Sequence, residues 1–311
     1  MPDNPDYLKG VLSGLVAVSI WASWSVVTRL IVTTDLNAWD IPMLRFGIAG
    51  LLLSPIVVRR GLALDRLGWL GLAVIIAGNG APYAFVAASG LQFAPAYDQG
   101  ALNPGCMPLF VALVATVVLK ESLSPKRKAG LSLILAGAVL IIAWHGWGRA
   151  WSISRTFGDA LFLLASFLTA CFTVTMRQTR LEPLHAAALV ATGSLVTYLP
   201  IYLLVYRARL AQLTLTEFTT QAFFQGVLVT IVSLVLYARA VAILGASEGA
   251  SFGALVPALS AVFAIPLLGE WPSEADGIAI VLISAGVYFA SGHVEQRRRS
   301  RECCQADHEA A

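Results

Sequence analysis

The chain has 311 residues, 58% of them hydrophobic and 13% charged, with a mean hydropathy of +0.75 and a formal net charge of +3. That is more apolar material than a soluble domain of this size can bury, and too little charge to cover one. A soluble enzyme is excluded, and the composition predicts an all-α polytopic membrane protein.

A spanning helix needs about 20 mainly apolar residues, because lipid offers no partner for backbone N–H and C=O groups. Ten such intervals are expected, at 10–32, 39–58, 67–90, 94–119, 127–144, 158–177, 185–205, 221–244, 247–269 and 275–292. Asp3 and Asp6 precede the first run, which is long enough to span, so it does not read as a cleaved signal. With ten spans both termini lie on one side, and Lys and Arg choose that side. If the termini are cytoplasmic, most loop cations face inward, Arg59, Arg60, Lys126, Arg127 and Lys128 among them. Only Arg149, Arg155, Arg207 and Arg209 are left outside. The expected orientation is termini-inside in an inner (plasma) membrane, and the net charge reflects that belt rather than nucleic-acid binding.

Taken in order, helix 1 places Trp21, Trp24, Ser25 and Thr28 on one face, at spacings of three and four. Two indoles beside two hydroxyls suit a cavity that holds an apolar group next to a polar one. In helix 2, Arg45 sits near the outer surface, where snorkelling to headgroups is expected, with Asp35 and Asp40 at hand. Helix 3 carries Gly78, Asn79, Gly80 and Pro82 mid-span, so its hydrogen-bond ladder is weakened there, and Asn79 and Tyr83 project from that turn. Helix 4 groups Gln99, Asn103, Cys106 and Met107 on one face, with Gly100 and Pro104 permitting close packing and a bend. Helix 8 offers Tyr237 with Thr230 and Ser233, and helix 9 offers Ser251 with Glu248. The candidate substrate-binding set is therefore Trp21, Trp24, Ser25, Asn79, Tyr83, Gln99, Asn103, Tyr237 and Ser251.

Helices 4 and 9 are copies of one design. Gly100 and Gly249, Ala101 and Ala250, Pro108 and Pro257, Glu121 and Glu270, and Ser124 and Ser273 all pair at one offset, 149 residues, without a gap. The first helices of the halves agree at an offset of 148, with Arg29 opposite Arg177. The chain is a duplication: 8–145 forms one five-helix repeat, 146–157 a linker, 158–292 the second repeat and 293–311 a polar cytoplasmic tail. An odd number of spans per half makes the repeats inverted, an arrangement that places a substrate site near mid-membrane between the halves. Glu121 and Glu270 then lie a membrane thickness apart, and a repeat-boundary role is expected for both rather than catalysis.

These residues, GALNPGCMP…LKESLS and GASFGALVP…LGEWPS together with Arg45-Phe46, resemble the EamA family of the drug/metabolite transporter superfamily. The resemblance covers about residues 8 to 292. It implies a ten-span exporter of amino acids, metabolites or drugs, with the family's aromatic-amino-acid exporters as the model. A multidrug exporter of the same fold is the alternative, although lipophilic cations call for a buried carboxylate and no Asp or Glu falls clearly at mid-bilayer. That lack also favours facilitated or exchange transport, with Asp98 and Glu248 as the remaining proton sites. No catalytic residue, metal or cofactor is expected, since the spans hold no nucleophile–base pair and no Cys/His ligand spacing. The expected partners are a small-molecule substrate and the lipid bilayer, with no nucleic acid and no obligate protein partner. Cys106 and Cys171 read as small apolar span residues, and Cys303 and Cys304 as part of a featureless tail.

Overall fold

The computed structural model describes residues 5–34, 36–146, 152–205 and 213–291. Residues 147–151 of the expected linker and the whole tail, with Cys303 and Cys304, lie outside the described residues, as do Asp35, Arg207 and Arg209. Among the described residues every regular element is a helix. Eight helical runs are long and apolar enough to cross a membrane, and two shorter apolar helices follow, Phe252–Leu268 and Glu274–Ala290. Large apolar side chains point outward along these helices, among them Leu51, Val58, Leu70, Val117, Leu204 and Val281, each at least two-thirds exposed. Apolar exposure on that scale fits a lipid-facing surface and not a soluble one.

The helices are α1 (Pro5–Thr34), α2 (Asp40–Arg60), α3 (Leu64–Asn79), α4 (Ala81–Phe93), α5 (Ala96–Leu102), α6 (Met107–Val118) and α7 (Pro125–Gly146) in the first half. The second half holds α8 (Ile153–Thr179), α9 (Pro183–Val205), α10 (Leu215–Ala222), α11 (Ser233–Leu244), α12 (Ala246–Ser251), α13 (Val256–Leu268) and α14 (Glu274–Ala290). A π-helical stretch, Phe223–Val232, joins α10 to α11, and a 3₁₀ turn, Phe252–Leu255, joins α12 to α13.

The interruptions are not random. The run α5–α6 breaks at 103–106 and its repeat partner α12–α13 breaks at 252–255. The run α3–α4 breaks at Gly80, and the π stretch lies at the matching depth of the other half. Pro82, Pro108 and Pro257 stand in the first turns of α4, α6 and α13, where the N–H that proline lacks would have had no partner. The freed N–H of Ala81 donates instead to Ser194 Oγ on α9, at 2.9 Å. Neighbouring protein, rather than a watery cavity, therefore satisfies part of this break.

Packing runs mainly between the halves. α2 lies along α9, α7 along α14, α1 along α11 and α13, and α8 along α3, α4 and α6. Each contact is either between repeat partners or matched by its exchanged counterpart. At the α7–α14 crossing a Cβ on Gly130 would stand 2.8 Å from Gly286 O, and one on Gly286 would stand 2.6 Å from Gly130 O. These are backbone atoms and cannot step aside, so the two helices approach closely only because both residues are glycine. Gly286→Ala is expected to cost about 1–3 kcal/mol through overpacking, seen as a lower thermal midpoint of the purified protein in detergent.

Candidate functional site

Several polar side chains of the spans form a belt of hydrogen-bonded pairs, some within the first half and some across to the second. Trp24 Nε1 donates to Gln225 Oε1 at 2.8 Å, and Gln225 Nε2 donates to Thr28 Oγ1 at 3.3 Å. Ser25 Oγ donates to Gln99 Oε1, and Asn103 Nδ2 donates to Tyr83 OH at 3.1 Å. Trp21 Nε1 donates to Ser233 Oγ at 3.0 Å, and its ring lies 5.0 Å from that of Tyr237. Trp24 and Tyr83 each stand ten residues from the end of their helix, about 15 Å along the axis at 1.5 Å per residue. That is half the thickness of a hydrocarbon layer of about 30 Å.

Of the residues expected from the sequence, Trp21, Trp24, Ser25, Tyr83, Gln99, Asn103 and Tyr237 are all in these pairs. Asn79 closes α3 just before the break, half-buried. Ser251 donates to its own helix at Glu248 O, 2.7 Å away, so its hydroxyl is engaged locally.

Arg45 departs from expectation. Instead of reaching outward to headgroups it turns into the belt. Its Nε donates to Thr230 Oγ1 at 3.3 Å, and its guanidinium carbon stands 5.3, 5.9 and 6.0 Å from the ring centres of Phe46, Trp24 and Tyr83. Asp40, its expected partner, is engaged elsewhere: it is buried, accepts from the Asn37 N–H at 2.9 Å and takes the Tyr202 hydroxyl. Aromatic faces attract the cation here, since among the described residues no carboxylate pairs with it.

Two further sets of charges close the ends of the bundle. At the end carrying the α1–α2 turn, Arg29 Nε meets Glu270 Oε1 at 2.9 Å, and Glu270 Oε2 accepts from the Ala96 N–H. At the opposite end Arg177 Nη2 meets Glu121 Oε1 at 2.7 Å. Each pair joins one half to the other, and repeat exchange turns either pair into the other. The boundary role expected of Glu121 and Glu270 is thus an ionic one.

The second set sits beside Arg29 and Glu270. His145 lies between Asp159 and Asp276, Nδ1 and Nε2 at 3.1 and 3.0 Å, while Arg155 meets Asp98 at 2.8 Å and Asp276 and Tyr97 at 3.4 and 3.1 Å. Asp98, Asp159 and Asp276 are almost wholly buried. A neutral imidazole has one N–H, so these two contacts hold an additional proton, on the ring or on a carboxyl group. Asp98, His145 and Asp276 offer three ligand atoms within 4.8 Å of one another, the spacing of a metal site. Arg155 already supplies the cation there, so the group fits an ion-pair network better than a metal centre.

A family model described as the EamA-like transporter family matches the chain twice, over residues 8–143 and 156–292. The chain belongs to the EamA-like transporter family. An "Uncharacterized transporter" of Archaeoglobus fulgidus is 28% identical over 285 residues, 89% of this chain and 95% of that one. One crystal structure of a protein aligns with a TM-score of 0.59 at 21% identity, covering 93% of this chain and 97% of the other, and it speaks for the fold alone.

In this EamA transporter the sequence reading sends Arg45 outward and does not single out Gln225, which stands five residues before Thr230. In an α-helix that spacing scatters them, but the π stretch widens the turn, and the Ser233 N–H bonds Leu228 O five residues back. Thr230 Oγ1 accordingly donates to Gln225 O at 2.9 Å, and both side chains reach the belt. A signal existed in Gln225 itself, an uncharged amide inside an otherwise apolar run.

Proposed function

We propose that this EamA transporter exports amino acids, aromatic ones among them, or similar small metabolites across the inner membrane by alternating access. In this reading the eight long helical runs and the two shorter apolar helices are ten spans, arranged as two inverted repeats over 8–145 and 158–292. Both termini are cytoplasmic. The observation that carries the reading is the polar belt at mid-depth between the halves, beside helix breaks that recur at matching positions in both. Discontinuous helices at corresponding positions are where secondary transporters build their sites. The direction of transport comes from the family resemblance.

Donors and acceptors of the belt are bonded to one another, so a substrate would exchange these internal bonds for its own. Indole and phenol rings beside amides and hydroxyls suit a molecule with an apolar side chain and a polar head. The multidrug alternative is less favoured. Its lipophilic cations would meet a guanidinium beside the aromatic rings, while the buried carboxylates, Asp40 and those of the Asp98–Asp159–Asp276 network, lie near helix starts.

The test is flux of labelled amino acids through liposomes carrying the purified protein, with and without a pH gradient. Transport by wild type is expected to fall by about tenfold or more in Trp24→Ala and in Asn103→Ala, as each change strips a buried hydrogen-bond partner. Movement of dyes or drugs with no amino-acid flux would replace the substrate class.

A further inference from the structure

We propose that the Arg45 guanidinium is the anchor for a carboxylate on the transported molecule, so that the site selects organic acids and α-amino acids over their uncharged or cationic analogues. This rests on reading the belt as the substrate site. Arginine keeps its charge in any protein environment, so the helix bundle holds a permanent cation beside Trp24 and Tyr83. Such a charge is costly within a membrane unless it is paired or faces a wet cavity. Its surroundings are incomplete as a binding partner for it. Thr230 accepts one hydrogen bond at Nε and three aromatic rings face the guanidinium, while among the described residues no carboxylate reaches it.

A guanidinium presents its donors in a planar fork that matches the two oxygens of a carboxylate. One fixed positive charge balances one negative charge. A phosphate dianion would call for a second cation, and among the described residues Arg29, Arg155 and Arg177 meet acids at the ends of the bundle instead. The rings of Trp24 and Tyr83 stand beside the same fork, so an acid carrying an apolar or aromatic group would fill both parts of the belt.

The experiment compares two pairs of near-isosteres, benzoate with benzamide and L-phenylalanine with L-phenylalaninamide. Binding is read from ligand-induced shifts in the unfolding temperature of the purified full-length protein. Wild type is expected to bind each acid about thirtyfold or more tightly than its amide, the scale of losing a partner from a desolvated charge pair. Arg45→Gln is expected to erase that preference. Arg45→Lys, which keeps a point charge without the fork, should retain part of it, and it carries the test if Arg45→Gln does not fold.

The proposal is overturned if amides bind as well as acids, if the preference survives in Arg45→Gln, or if neither acid binds wild type at about 10 mM. Phenylalanine flux in liposomes is measured alongside. Flux without a preference for acids sinks the anchor and leaves the transporter; an Arg45-dependent preference without flux does the reverse.

Discussion

Arg155→Ala is expected to destabilise the protein by about 3–5 kcal/mol, the range for removing one partner of a buried ion pair. The reason lies in what it leaves behind. Asp98 and Asp276 are 0% and 1% exposed, and Arg155 bonds both. Among the described residues Asp98 Oδ1 and Asp159 Oδ1 already lack a hydrogen-bond partner, so these residues have no spare donor to offer. The loss should therefore be recovered in part by removing the stranded charge: Arg155→Ala with Asp98→Asn is expected to be more stable than Arg155→Ala alone. Denaturant or thermal unfolding in detergent measures both. Independent, additive losses would show that Arg155 acts by packing and that the charge pairing contributes little.

The duplication and the candidate spans were legible in the sequence because each is a local or periodic signal. An unbroken offset of 149 and long uncharged runs need no three-dimensional knowledge. The helix breaks were half legible, since Gly80, Pro82 and Pro104 announce weakened ladders, but the π stretch holds no proline and one glycine, Gly226, which alone does not announce a widened turn. What stayed hidden was assembled from distant helices. Asp98, His145, Asp159 and Asp276 each stand near a helix end, where a polar residue is ordinary, and only the fold brings them within hydrogen-bond distance. Arg45 shows the same limit in reverse: an arginine five residues into a span reads as snorkelling until the cage of Trp24, Phe46 and Tyr83 is seen. Arg29 and Arg177 had been aligned as repeat partners, as had Glu121 and Glu270. That each arginine pairs with the other half's glutamate follows from packing alone.

Those two crossed pairs give the second large effect. Arg29→Glu is expected to part the halves at the α1–α2 end, and Arg177→Glu to part them at the opposite end. The sizes should differ. Arg29 and Glu270 are 21% and 16% exposed, and backbone groups of Leu91 and Ala96 hold them as well, so reversing Arg29 breaks a largely desolvated pair. Arg177 and Glu121 are 45% and 31% exposed, and pairs that water reaches are worth about 0–1 kcal/mol. Leu36 and Val174, both buried, report on the two ends once each is replaced by cysteine in a background without the native cysteines. With a maleimide as probe, Arg29→Glu should raise labelling at Leu36→Cys by about tenfold or more, and Arg177→Glu should raise it at Val174→Cys by no more than about fivefold. The charge-swapped doubles, Arg29→Glu with Glu270→Arg and Arg177→Glu with Glu121→Arg, should return both rates toward wild type. An alternating transporter requires each end to respond to its own pair. If either reversal opened both ends together, or the swaps failed to restore closure, the pairs would be packing contacts and not the fastenings of two alternating faces.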